Sequence, residues 1–469
     1  MMTEVVVGSG PCAWAAVMGI IARGGTPVVV DFGQFPKIDP PKILGSSALA
    51  IKGSQDRARV FGYPRSLVSS EDAGHLPISS ARGGLSRVWG SGILARGIDE
   101  FPELSEVFHE ISGAFDSLFE LIPSTASKDQ LSLRFPAPAE HRVAPQSARF
   151  SKIVAQLQDE DPETLVGYPR LAMRTEGGAC LRCGSCLVGC PEGLFFSSEV
   201  HLSQLELSGL CRLVTGPVLK LEIEDSGVNV VLPSQRIKAD RVYLAAGPIG
   251  TPSLLQRSGM APTHIRVLDS AVFYSALINL NKSLGDEAEF TAAQASILAT
   301  KPGPSDFQVS VYESNPDHGE RISAMLPLLR HVLKVPRIAI NRVNPIIGFL
   351  DSAVSGHLDL RFQGERTWVR RVANPSTRPA ANEVLKRVAS RTKTQRMFAV
   401  PRLILIPKPG SGYHSGAAMP MGGEYVDLSS GLRFDSRVKL VDATVLPRVP
   451  AGSHTFTAMA NAFRVGRAN

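Results

Sequence analysis

Glu4-Val-Val-Val7-Gly8-Ser-Gly10-Pro-Cys-Ala13 begins with four residues suited to a buried strand, then sets two glycines and an alanine at the spacing of a dinucleotide-binding turn. The first glycine permits a tight turn and the second lets the backbone approach a pyrophosphate. Ala13, in the third glycine position, lets helix and strand pack closely. The apolar run through Ala22 predicts a helix, with its N-terminus at the pyrophosphate. Pro27-Val-Val-Val30 reads as a second strand, and Asp31 falls about 20 residues after the turn, where a carboxylate binds a ribose hydroxyl. Strand, turn, helix, strand and acid in that order predict a nucleotide-binding α/β unit. The pattern alone does not separate FAD from NAD.

A second feature is Cys180-Leu-Arg-Cys183-Gly-Ser-Cys186-Leu-Val-Gly-Cys190-Pro191, which holds four of the six cysteines. Its short gaps match the bacterial ferredoxin-type run, in which thiolates converge on a 4Fe-4S cluster that carries single electrons. In two-cluster ferredoxins the fourth cysteine of such a run serves the other cluster, and no second run exists here. Either Cys190 closes the same cluster or the site is a 3Fe-4S centre. A structural zinc, two crowded disulfides and unliganded cysteines are the alternatives. Cys12 and Cys211 stand in apolar or helical contexts and read as small core residues.

The C-terminal part carries three linked segments: Gly412-Tyr-His414-Ser-Gly-Ala-Ala-Met-Pro-Met-Gly422, Leu440-Val-Asp442-Ala-Thr-Val-Leu-Pro447 and Gly452-Ser-His454-Thr-Phe-Thr-Ala-Met-Ala-Asn461. Together with the glycine-rich Arg82-Gly-Gly-Leu-Ser-Arg-Val-Trp89-Gly-Ser-Gly92 and the strand-to-helix turn Val242-Tyr-Leu-Ala-Ala-Gly247-Pro-Ile-Gly250, these resemble the glucose-methanol-choline family of FAD oxidoreductases. The motifs occur in family order. The likeness thins between about residues 100 and 170 and again between about 260 and 400.

The resemblance implies an α/β fold: a Rossmann-like FAD-binding domain with an inserted substrate domain built on an antiparallel sheet. It implies a discontinuous FAD domain from 1–100, 196–260 and 412–469, a connector over 101–195 containing the cysteine loop 180–191, and a substrate domain over 261–411. It makes His414 the base for an alcohol proton and His454 its partner. With the dinucleotide turn, the expected cofactor-contact set is Gly8, Gly10, Ala13, Asp31, Gly84, Ser86, Trp89, Val218, Ala246, Gly247, Asp442, Ala443 and Thr455, and the ferredoxin-type spacing makes Cys180, Cys183, Cys186 and Cys190 the candidate metal ligands. Covalent members can use a histidine in the glycine-rich loop. Val88 stands beside Trp89 here, so noncovalent FAD is expected. The cysteine run resembles an insertion of dehydrogenase-like members, and the 469-residue length suggests a trimmed substrate domain and a relatively open pocket.

The chemistry follows from residue types as well. Oxidising an alcohol to a carbonyl removes a hydroxyl proton and a hydride, and an imidazole with an unperturbed pKa near ~6.5 is suited to take the proton. A helix starting after Gly452 would aim its N-terminal dipole at the flavin's pyrimidine end. The expected function is oxidation of a small-molecule alcohol or sugar, with electrons relayed through the cluster to an external acceptor. Alternatives are a flavin and iron-sulfur electron-transfer subunit without its own alcohol, and an oxygen-using oxidase with a structural cysteine site. His75, His109, His141, His201, His264, His318, His331 and His357 lie in no such frame and read as structural or surface residues.

A hydrophobic content of 43% supports substantial cores. Pro36 to Pro41 and Phe135 to Pro145 read as connectors, and Asp306 to Tyr312 and His357 to Phe362 as antiparallel strands. The first strand begins too early for a leader peptide, no run of 18 apolar residues occurs, and a cytoplasmic location is expected. From Arg321 to Leu350 five basic residues and no acidic one stand among apolar neighbours. An interfacial helix presents that pattern to anionic lipid, and would suit a lipid-linked substrate or a quinone at the inner face of the membrane. A buried helix or a partner contact is the competing reading, since Pro327, Pro336 and Pro345 interrupt the stretch. The net charge of +7 accompanies no nucleic-acid motif, so nucleic acid is not expected as a partner.

Overall fold

A computed structural model describes residues 2–33, 67–71, 76–87, 89–138, 140, 142–159, 161–176, 180–184, 186, 190, 192–280, 290–313, 342–400 and 403–468. Glu4–Val7 is a strand buried along its length and Pro11–Ala22 is a helix, as the opening turn requires. Gly8 has φ +112°, and a side chain there would overlap the Ala245 carbonyl of the neighbouring strand connection. Only glycine satisfies both demands. The parallel sheet runs in the order Asp435–Leu440, Arg241–Leu244, Glu4–Val7, Val28–Asp31, Arg212–Thr215, with Gly431–Leu432 antiparallel at one edge. Its central strands are apolar on both sides because both faces are covered.

The helix Pro11–Ala22 is apolar around most of its circumference because it lies between that sheet and the terminal helix Thr455–Arg467. The two helices meet without a gap. A Cβ on Gly19 would overlap the Phe463 carbonyl, and one on Gly466 would overlap Ala16.

A second sheet, six-stranded and antiparallel, runs Met397–Ala399, Val272–Asn279, Val343–Leu350, Phe307–Tyr312, Ala293–Ala299, Thr164–Gly167. One face packs Phe273, Val309 and Ile346 into a core shared with residues of the helices Ala148–Gln156 and Thr377–Lys393. A five-stranded sheet links the two regions, running Ser415–Gly416, His264–Asp269, His357–Gln363, Arg366–Val372, Val68–Ser70. The alternating stretches near 306–312 and 357–362 are strands, as read from the sequence.

The basic stretch 321–350 needs correction at its C-terminal end. Val343–Leu350 is neither an interfacial nor a buried helix but an interior strand, and Pro345 sits where pairing with Phe307–Tyr312 has stopped, so no ladder bond is lost. Positions 321–341, and the connector Pro36 to Pro41, lie outside the described residues. Among the described residues no helix is long and apolar enough to cross a membrane.

Candidate active site

His414 immediately precedes the short strand Ser415–Gly416, which pairs with Leu268 and Asp269. Its carbonyl accepts a hydrogen bond from Ser270 N at 2.9 Å. Asp269, fully buried, accepts from Gly410 N at 2.7 Å and Ser415 Oγ at 2.8 Å, so its carboxyl fixes both sides of the histidine turn. Burial pushes its pKa up to about 7 against those donors. Tyr413 has φ +58°, a conformation that a bulky residue adopts only when its surroundings impose it.

His454 is the N-cap of the terminal helix. Its ring centroid lies 5.7 Å from that of His414 at an interplanar angle of 73°, and the Phe349 ring centroid stands 4.5 Å from that of His414. His454 Nδ1 is 3.3 Å from the Gly452 carbonyl; donation there leaves Nε2 as an acceptor. His414 Nδ1 is buried and has no hydrogen-bond partner among the described residues. Burial is the main cause that lowers both imidazole pKa values, His414 to about 3 and His454 to about 4, with the Arg96 guanidinium lowering both further. Both rings are therefore neutral at physiological pH and able to accept a proton.

Three groups clamp the turn into the terminal helix. Arg96, 1% exposed, donates from Nε to the Ser453 carbonyl at 2.8 Å and from Nη2 to the Ala451 carbonyl. Gln308 Oε1 accepts from Ser453 N at 3.0 Å, and Ser270 Oγ accepts from Gly452 N at 3.0 Å. Gly452 has φ +80°, and a Cβ there would overlap the Gln308 amide. Arg96 is held in turn by Glu100 at 3.0 Å, and Arg134 bonds both Glu100 and Asp306. Arg96, Gln308 and Phe349 were not identified from the sequence. Arg96 left one trace, a lone cation in the apolar stretch after the glycine-rich loop; Gln308 and Phe349 left none.

At the nucleotide end, Asp31 accepts from Gly33 N at 2.8 Å and from Ser9 Oγ at 2.6 Å, and burial pushes its pKa up to about 6. Ser9 Oγ also accepts from Gly83 N at 2.8 Å, tying the glycine-rich loop to the first turn, and Gly84 faces Gly10. Gly10 caps the first helix without a side-chain bond, and Ala13 is fully buried behind it. Beyond Gly10 and Gly247 the Cβ direction is open for 4 Å among the described residues. Ala246 caps the helix that Gly247 begins.

Several expected contact residues spend their polar atoms within the chain. Asp442 accepts from Gly247 N at 2.8 Å, Thr251 Oγ1 at 2.6 Å and Thr444 N at 2.9 Å, so its carboxylate caps Gly247–Arg257 and the turn begun by Ala443. Ser86 Oγ bonds Gly83 O at 2.6 Å, and Trp89 Nε1 donates to Phe196 O at 3.0 Å. Val218 is buried between the strands Arg212–Thr215 and Lys220–Glu224. Thr455 is the first residue of the terminal helix. Val88 lies outside the described residues.

Cys180, Cys186 and Cys190 pack partly buried against an apolar cluster that includes Leu171, Leu194, Phe290 and Ala292, while Cys183 is exposed. Among the described residues no group of three or more His, Cys, Asp or Glu is arranged to hold a metal. The Cys186 sulfur does lie within reach of the Thr291 and Ala292 amides. Cys12 and Cys211 are core residues, as expected.

The sheets, their order and their connections make an α/β fold of the glucose-methanol-choline type, a Rossmann-like unit joined to an antiparallel-sheet portion. Among solved structures the chain is similar to pyridoxine 4-oxidase from Mesorbium loti, with a TM-score of 0.63 at 14% identity, covering 100% of this chain and 99% of that one. No family model and no curated protein matches the chain by sequence.

The residues fit a flavin dinucleotide. The first helix offers an N-terminus with no side-chain cap and no acid in its first turn, beside glycines whose Cβ positions open onto free space. Thr457 Oγ1 and Ser91 Oγ are buried near the histidine segments without partners among the described residues.

Proposed function

We propose that the protein is an FAD-dependent oxidoreductase that oxidises the hydroxyl of a small-molecule alcohol to a carbonyl. Bound FAD supplies the hydride acceptor, and the protein residues supply orientation and proton transfer. The carrying observation is that two neutral histidines from distant segments meet beside the turn into the terminal helix, where Arg96 and Gln308 fix the backbone. His414 takes the hydroxyl proton. His454 stands beside His414 at the start of the terminal helix, whose N-terminal dipole favours the charge that develops on the alcohol oxygen. Gly8, Gly10, Ala13, Asp31, Gly84 and Gly247 hold the noncovalent cofactor.

Removing the base tests the reading. In His414→Ala, alcohol-driven bleaching of the flavin should slow by about 10²–10⁴-fold while reduction by dithionite stays intact. Unchanged bleaching removes His414 from the mechanism.

The spacing of Cys180, Cys183, Cys186 and Cys190 supports an iron-sulfur ligand set, 4Fe-4S or 3Fe-4S, serving an external acceptor in the cytoplasm. A second reading, transfer to oxygen, is favoured by the oxidase named for the similar structure. Iron analysis of anaerobically purified protein, with peroxide measured during turnover, separates them: about four irons and no peroxide supports the relay, and peroxide without iron supports the oxidase.

A further inference from the structure

We propose that the pocket beside His414 takes an apolar, ring-bearing alcohol, an aryl or alicyclic carbinol, in preference to a polyhydroxylated sugar; this rests on the alcohol-oxidising reading above. The wall next to the histidine is one face of the antiparallel sheet. Its other face buries Phe273, Val309 and Ile346 in the helix-covered core, so strand alternation turns Gln308 and Phe349 toward the histidines. Their contacts agree: Phe349 lies 4.5 Å from His414, and Gln308 bonds Ser453.

Residues directly paired across strands share a face. The register sets Phe349 beside Gln308, then Ile347 between Tyr274 and Ser310, then Pro345. Phe349, Ile347, Tyr274 and Pro345 are all partly exposed on it. The wall is also uncharged: none of the six strands contains an Asp, Glu, Lys, Arg or His.

A sugar brings several hydroxyls that each need a partner once water is excluded, and a site without those partners rejects them. The two rows nearest the histidine carry Gln308, Ser310, Ser296 and the Tyr274 hydroxyl as polar groups. The Gln308 carbonyl already accepts from Ser453, Ser310 bonds Tyr312, and Ser296 and Ser310 are buried, so the accessible part of the wall is Phe349, Ile347, Pro345 and the Tyr274 ring. An aromatic or alicyclic ring instead matches Phe349 and Ile347 in shape and polarity and needs one polar contact, its carbinol oxygen, at the histidines.

The test uses FAD-loaded protein under anaerobic conditions, with benzyl alcohol and cyclohexylmethanol against glucose and glycerol at equal concentration. The ring alcohols should bleach the flavin at least ~100-fold faster, about tenfold for each of two unmatched hydroxyls. Ile347→Asp should raise the benzyl alcohol concentration for half-maximal bleaching about tenfold while FAD content and dithionite reduction stay unchanged. Bleaching by glucose as fast as by benzyl alcohol, or an Ile347→Asp variant indistinguishable from the parent, overturns the pocket assignment and leaves alcohol oxidation standing. No bleaching by any of the four alcohols, with dithionite still effective, overturns the alcohol-oxidising reading and this inference with it.

Discussion

Replacing Arg96 with Met should destabilise the protein by about 3–5 kcal/mol near pH 8, the usual consequence of removing one partner from a buried ionic network. The guanidinium is 1% exposed, lies 3.0 Å from Glu100 and 3.7 Å from Asp306, and bonds the Ser453 and Ala451 carbonyls. Methionine fills much of the space but returns none of these bonds. Glu100 and Asp306 would then share Arg134, with Arg448 a more distant cation. Asp306 is already held up by burial, and Glu100, now held down by Arg96 and Arg134, would rise with it. The native state would keep a carboxyl proton to a higher pH than the unfolded chain does, so stability relative to the parent falls as pH rises through that raised value. The deficit should be largest near pH 8 and shrink toward about pH 5. Urea unfolding of the FAD-loaded protein at both pH values reads it. A loss under about 1 kcal/mol at both, or a deficit that grows on acidification, refutes the assignment of Arg96 as the buried clamp.

Three further outcomes are expected. With both histidine pKa values depressed to between about 3 and 4, the acid limb of kcat/KM should lie below pH 5, and a limb near ~6.5 that disappears in His414→Asn would contradict neutral, buried imidazoles. Gly8→Ala places a methyl group against the Ala245 carbonyl at φ +112°, so it should abolish FAD retention or cost about 1–3 kcal/mol of stability, measured by flavin released per chain and by thermal melting. Gly452→Ala, which drives a Cβ into the Gln308 amide, should slow alcohol-driven bleaching at least tenfold while FAD content is retained, and unchanged kinetics would mean that the turn is not held as closely against Gln308 as described.

The first turn was legible because its local demands are written in residue type: the valine strands must be buried on both faces, and Gly8 stands where only glycine fits. The strands near 306–312 and 357–362 were legible from alternation. Val343–Leu350 was not, because its apolar residues and Pro345 look the same in a broken helix as in an interior strand whose pairing on one side, with Phe307–Tyr312, stops at the proline. His414 and His454 stood out through their sequence frames, yet their 5.7 Å separation depends on the close packing of the first and terminal helices and on a clamp assembled from Arg96, Gln308 and Ser270. Those three residues come from segments far apart in the chain, and no local pattern announces a pairing made only by folding. Asp442 shows the reverse: its frame drew attention as a cofactor contact, while its carboxylate caps two helical turns.

The most direct measurement is an anaerobic visible spectrum of the purified protein before and after an alcohol is added. Flavin bands near ~450 nm, released as free FAD by acid and bleached by alcohol in the parent but not in His414→Ala, are the predicted result. A protein that carries no flavin and takes up none when FAD is supplied would contradict the account at its base.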